Sequence, residues 1–405
     1  MTSTTHDAHA SDDEPTPAIE IDAHSSTATT ETTAGDPTTR FGIGEWYGQS
    51  FTELSAPERL EFSSYGVPAK VSLTKPERER LIQLRRKVDN DVPLNKAETK
   101  RHEILENKFC IEQKSTKLCP FKKVDGYGLT PCTKSGGVCS LRAYTRAPND
   151  EVVPVSGAKG ALRTLCPYRF HEGATAFNWA SSVILGQPFP ILVGEVGFLE
   201  SSETYDGSEG EDVGRIDMVV VDASKPPDYP LPWIALEIQA VYFSGPEMPK
   251  LFSQIAKDIQ DGGNGIVFPS ENRRPDYRSS GPKRLMPQLQ IKIPTLRRWG
   301  KRMAVVVDRP FYESMGKMRT TDHVSLSDVV WFVVDYKHNP TSRRFELTQG
   351  DAYFMTLEEA VKGLTGGTPV AQPVFEDKIR AELSALTPLA ISMSAAAAIK
   401  TLPGS

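Results

Sequence analysis

The stretch Pro232–Ser244, PWIALEIQAVYFS, decides how the rest of the chain is read. Trp233, Ile234, Leu236, Ile238, Val241, Tyr242 and Phe243 all favour a buried strand. Two polar residues, Glu237 and Gln239, sit in its middle. Strand side chains alternate faces, so Glu237 and Gln239 share one face, and Leu236, Ile238 and Ala240 share the other. An unpaired buried carboxylate costs several kcal/mol. Glu237 therefore calls for a basic partner, water or a metal ion.

Two further acids stand at comparable places upstream. Phe189–Leu199, FPILVGEVGFL, reads as a strand with Glu195 inside it, and Gly214–Ala223, GRIDMVVVDA, as a strand with Asp217 inside it. Ser201–Asp212 between them is polar and acidic, which suits a turn or long hairpin loop. His171–Gly186 reads as a helix, and Met248, Leu251 and Ile255 give Pro246–Ile259 helical spacing. Strands follow at Met303–Asp308 and Asp328–Asp335. Thr356 with Glu359 forms a capping box for a helix through Leu364. Upstream, Pro76–Cys110 reads as two helices parted by Asp91–Pro93, with Asn95 and Glu98 boxing the second. This order predicts an α/β (α+β) fold with a mixed central sheet flanked by helices.

Charge is unevenly spread. Residues 1–39 hold eight Asp or Glu and no Lys or Arg, and few large apolar groups. Such a segment buries too little surface to offset its ordering entropy, so residues 1–40 read as a disordered acidic tail. Without it, 47 basic residues face 44 acidic ones, against −5 for the whole chain. The densest bias is Arg273–Arg302, with ten Lys or Arg and one Asp, and with Tyr277 and Trp299 interleaved. A phosphate backbone and a solvated helix face explain it equally well by charge alone. No apolar run is long enough to cross a membrane, and no signal peptide is legible. A cytoplasmic protein is expected.

If Glu195, Asp217 and Glu237 converge, their mutual repulsion is relieved by a hard divalent cation, and oxygen ligands suit Mg²⁺. For any one of them alone, a solvated edge or a pairing with Arg215 is the simpler reading. The cysteines form a second set. Cys119, Cys132, Cys139 and Cys166 lie in Lys117–Phe170, which reads as loop-rich, at spacings of twelve, six and twenty-six intervening residues. Disulfides are rare inside cells, and four thiolates suit zinc or iron. Four small buried apolar groups are the plainer alternative.

An Asp in a hairpin strand followed by Glu-x-Lys in the next resembles the PD-(D/E)XK nucleases; here the triplets are RID and EIQ. The ordered combination CPF…PC…SGGVC…LCPYR, then VGEV, RIDMVVVDA and LEIQAVYF, resembles the NotI-type restriction endonucleases, by motif from Lys117 to Gly245 and more loosely from Val329 to Leu383. The resemblance implies a PD-(D/E)XK domain over 171–405, with a C-terminal extension, behind an N-terminal region, 41–170, holding a four-cysteine metal site. It gives Glu195, Asp217, Glu237 and Gln239 active-site roles, with Asp217, Glu237, the carbonyl of Ile238 and Glu195 as Mg²⁺ ligands. It makes Cys119, Cys132, Cys139 and Cys166 ligands of a structural iron, or of Zn²⁺; Cys110 has no counterpart. The implied activity is that of a type II restriction endonuclease of a prokaryotic cell, cutting double-stranded DNA at a palindrome as a homodimer. Gln239 orients water but is no strong base. Arg273, Arg274, Arg284, Arg297 and Arg298 are the candidate DNA contacts. A non-catalytic DNA-binding protein on a decayed nuclease fold and a repair or structure-specific nuclease are the alternatives.

Overall fold

The stretch that opens the sequence reading becomes the third strand of a six-stranded sheet. Its strands are β1 (Ile191–Val193), β2 (Met218–Val221), β3 (Trp233–Ile238), β4 (Met303–Asp308), β5 (Val329–Asn339) and β6 (Arg344–Met355). The spatial order is β6-β5-β4-β3-β2-β1. β3, β4 and β5 run parallel to one another, and β6, β2 and β1 are antiparallel to their neighbours. This is the mixed sheet expected. The structure is a computed structural model that describes residues 39–64, 73–115, 117–124, 128–200, 212–226, 230–366 and 370–385. The acidic tail and most of the loop 201–212 lie outside the described residues.

Both faces of the sheet are covered, so its central strands are apolar on both sides. Val220, Ile234, Leu236, Ala304, Val306, Val330 and Phe332 pack with Phe177 and Ala180 of helix α1 (Thr175–Leu185). Val219, Ala235, Val305, Val307, Trp331 and Val333 pack with Leu289, Ile293 and Leu296 of helix α2 (Met286–Arg298) and with Ala360 and Leu364 of helix α3 (Leu357–Thr365). Alternation from Ala235 places Glu237 on the α2 face.

Three expected strands are each broken. The chain 189–199 splits at Gly194–Glu195 into β1 and Val196–Glu200, and 214–223 splits at Asp217 into Asp212–Ile216 and β2. The stretch 232–244 stops at Ile238 and resumes at Tyr242–Ser244, which pairs with Arg274–Asp276. In each case a polar residue marks the end of a ladder.

The cysteine region is not loop-rich. Val138–Arg146 is flanked by Thr39–Trp46 and Val152–Pro154, with Gln49–Ser50 beyond and Arg163–Thr164 paired alongside, in a five-stranded sheet. Gly and Pro between these strands gave the sequence its loop-like look. The helix Pro249–Gln260 returns from the later half to bury Leu251, Phe252 and Ile255 among Ile43, Trp46, Phe62 and Tyr144. Trp46 and Phe252 stack at 5.1 Å. The capping pairs are real: Asn95 and Glu98 bond reciprocally, and the Thr356 hydroxyl accepts from the Glu359 N–H.

Candidate active site

Glu237 is the penultimate residue of β3, on the α2 face, its side chain only 8 % exposed. Asp217 stands at the bend before β2, and 59 % of its side chain is exposed. The partner that Glu237 calls for is a lysine. Lys292 of α2, 2 % exposed, places Nζ 2.7 Å from Glu237 Oε2 and 3.4 Å from Asp217 Oδ1. Burial pushes the Glu237 carboxyl up to about 7, with Lys292 pulling it down and Asp217 pushing it further up. The three groups thus form one electrostatic unit, drawn from β3, the bend before β2 and α2.

The sequence reading missed Lys292. Its signal was available: Leu285, Leu289, Lys292 and Leu296 fall on one helical stripe, and a lysine among three leucines points inward. Charge alone reads the basic run around it as a solvated face or a phosphate-binding patch, and neither reading shows that one of its members is buried.

Glu195 stands apart from this unit. It is exposed at the break after β1, and Arg215 donates to its Oε2 at 3.3 Å. Gln239 lies just past β3; its N–H donates to the Val306 carbonyl, and its amide Nε2 to the Ala240 carbonyl at 2.5 Å. Ile238 is the last residue of β3, in register with Val306. Two carboxylates held side by side are a donor set that suits a divalent cation. Among the described residues, though, no three His, Cys, Asp or Glu side chains form a group arranged to hold a metal ion.

The cysteines come together around two matching tetrapeptides, Cys119-Pro-Phe-Lys and Cys166-Pro-Tyr-Arg. In each, the sulfur accepts backbone N–H groups two and three residues on, from Phe121 and Lys122 and from Tyr168 and Arg169. The Cys132 thiol donates to the Lys134 carbonyl at 3.7 Å and the Cys139 thiol to the Gly137 carbonyl at 3.6 Å. Cys119 and Cys132 share a hydrogen bond, which with the Phe121 and Lys122 N–H groups holds the Cys119 thiol down at about 6 and drives Cys132 up. Burial first, then neighbouring negative charge, raises Cys139. Burial likewise raises Cys166. All four are free thiols, and Cys110 is exposed elsewhere on its helix. Backbone N–H groups aimed at sulfur stabilise thiolates, and thiolates are the ligands a thiophilic ion takes, but no three of these sulfurs form a group arranged to hold a metal ion among the described residues.

The basic run is mostly helical, from Tyr277 to Arg298. Arg273 is buried and donates to the carbonyls of Pro246 and Glu247. Arg297 is paired with Asp328 and Glu358. Arg274 and Arg298 are exposed, and Arg284 lies over the Tyr242 ring at 3.7 Å and donates to its hydroxyl.

A family model described as restriction endonuclease NotI matches residues 103–347, more than half of the 405-residue chain. The match spans all four clustered cysteines, Asp217, Glu237 and Lys292. No curated protein matches the chain. Among the described residues no helix is long and apolar enough to cross a membrane.

Proposed function

Because the chain belongs to the family of restriction endonuclease NotI, whose members are type II enzymes acting on DNA, we propose that it hydrolyses double-stranded DNA at a palindromic sequence in a Mg²⁺-dependent reaction in the cytoplasm. The observation that carries this reading is the Asp217–Glu237 pair at the ends of adjacent strands of a mixed sheet, held by a buried lysine. The site is read as a PD-(D/E)XK centre in which Asp217 and Glu237 hold the ion, with the Ile238 carbonyl beside them. When bound, Mg²⁺ supplies a Lewis acid that stabilises charge on the scissile phosphate and eases deprotonation of water.

The chain's own residues do the remainder. Gln239, an amide with both donor and acceptor, orients water without taking its proton. Glu195, paired with Arg215 outside the Asp217–Glu237–Lys292 unit, supports a second ion through water. Cys119, Cys132, Cys139 and Cys166 hold one iron or zinc that fixes the N-terminal sheet. Arg274, Arg284 and Arg298 contact phosphates. A palindrome matches a two-fold protein, so the active species is a homodimer.

The test is incubation of plasmid DNA with the protein and Mg²⁺. Discrete fragments that vanish with Asp217→Ala, while the variant still binds DNA, support the reading. Intact plasmid, or equal cutting by the variant, counts against it. Wild-type protein that binds DNA tightly but never cuts it favours the decayed-nuclease alternative.

A further inference from the structure

The polar group that the active-site reading leaves unused is the lysine itself. Lysine is almost never buried without cause, since losing the water around an ammonium costs several kcal/mol even after relaxation. Its helical neighbours Leu289, Ile293 and Leu296 show that a plain apolar residue would fill that place. Instead, α2 sends one buried ammonium to two carboxylates, one in β3 and one at the bend before β2. β3 offers no cation of its own, because Gln239 is uncharged and its amide is spent on the Ala240 carbonyl. The nearby Arg215 is engaged with Glu195.

We propose that Lys292 is the cationic member of the active site, supplying from helix α2 the ammonium that a Glu-x-Lys strand carries two residues after its glutamate. The inference rests on the nuclease reading of Asp217 and Glu237. An ammonium has three N–H groups. Two lie on Glu237 and Asp217, which keeps the repelling pair together and in line; the third is directed to the reacting phosphate. The cation thus stands at residue 292 in sequence, not at residue 239, but beside the same glutamate in space. The route is steric: β3 stops at Ile238, and the chain turns away at Gln239–Val241 toward Tyr242–Ser244. Helix α2 lies against the face that Glu237 shares, so its inward stripe is the nearest surface that can deliver a cation.

The experiment moves the lysine back. Lys292→Met and the double variant Gln239→Lys/Lys292→Met are compared with the wild-type chain. Plasmid cleavage is measured in Mg²⁺, DNA binding in Ca²⁺, and thermal unfolding without added divalent ion. Lys292→Met is expected to cut about 100-fold more slowly while binding DNA within about threefold of wild type, the pattern of a group that acts on the transition state. The double variant is expected to regain at least about tenfold of the lost rate. A merely structural lysine would not be rescued from a different element. The proposal is overturned if Lys292→Met cuts within about threefold of wild type. It is also overturned if the double variant folds and binds DNA yet cuts no faster than Lys292→Met. Should Lys292→Met fail to fold, the double variant is read directly against wild type. Cutting within about tenfold supports the proposal; a folded but inactive double, or one that does not fold, overturns it. A wild-type chain that cuts no DNA sinks the nuclease reading instead, before any variant is compared.

Discussion

Replacing Arg169 by methionine should cost this protein a large share of its stability. Arg169 is fully buried and follows Cys166 by three residues. Its Nε reaches both Glu45 oxygens at 3.0 Å, and Glu45 is equally buried. Its other nitrogens donate to Glu172 at 2.8 Å and to the Phe345 carbonyl at 2.7 Å, and the guanidinium lies 4.6 Å and 4.5 Å from the ring centres of Phe121 and Tyr336. Burial works against the charge on Arg169, but Glu45, Tyr336 and Glu172 together hold its pKa above the usual value. The residue thus ties Thr39–Trp46 and Phe121 to β5 and β6. Removing one partner of a buried pair costs about 3–5 kcal/mol, and the orphaned Phe345 carbonyl adds about 1 kcal/mol. The Ser140 hydroxyl still donates to Glu45 at 2.8 Å and offsets part of this. The expected loss is about 4 kcal/mol, against a total of about 5–15 kcal/mol for a typical protein. Urea unfolding followed by tryptophan fluorescence measures it. Glu45→Met/Arg169→Met removes both charges and should recover at least about 2 kcal/mol of the loss. If Arg169→Met unfolds within about 1 kcal/mol of wild type, the pair is not the tie described here.

Other consequences follow from the same structure. His171 packs edge-on to Phe177 at 4.9 Å, and burial lowers its pKa from 6.5 to about 4. The unfolded chain therefore binds the extra proton between those values, so this stability is present above pH 6.5 and is lost as pH falls. Between pH 7.5 and pH 5 the loss is about 2 kcal/mol, and His171→Phe should abolish that part of the pH dependence in urea titrations. Purification through EDTA should leave about one iron or zinc per chain, by the affinity usual for thiolate sites, and Cys132→Ser should release it and lower the melting temperature; elemental analysis finding no transition metal removes the four-cysteine proposal. Arg284→Ala with Arg298→Ala should weaken binding to any duplex and flatten the salt dependence by roughly two units, while Arg297→Ala should change melting temperature and leave the salt slope unmoved.

Much of the fold was legible because its signals are local. The strands 303–308 and 329–335, the helix after Thr356 and the helical pair before Cys110 follow from periodicity and caps, and their ladders and hydrogen bonds are in place. What was not legible depends on residues far apart. The N-terminal sheet needs Thr39–Trp46 beside Val138–Arg146, about a hundred residues away, and a helix from 249–260 to close its core. Asp217 and Glu237 were found from their strand contexts, but the cation between them comes from a helix that begins nearly fifty residues after Glu237. Arginines show the same limit. Charge density cannot separate Arg273 and Arg297, which are spent on Pro246, Glu247, Asp328 and Glu358, from Arg274 and Arg298, which face solvent.

The central claim is that Asp217 and Glu237 direct site-specific hydrolysis of duplex DNA. Mapping every DNA end made by the wild-type protein on a bacterial genome in Mg²⁺ tests it most directly. The expected ends all carry 5′-phosphates and all fall at one palindromic sequence, with none produced by Glu237→Gln under the same conditions. Ends scattered without a common sequence, ends confined to branched or damaged DNA, or the same end map from Glu237→Gln would contradict it.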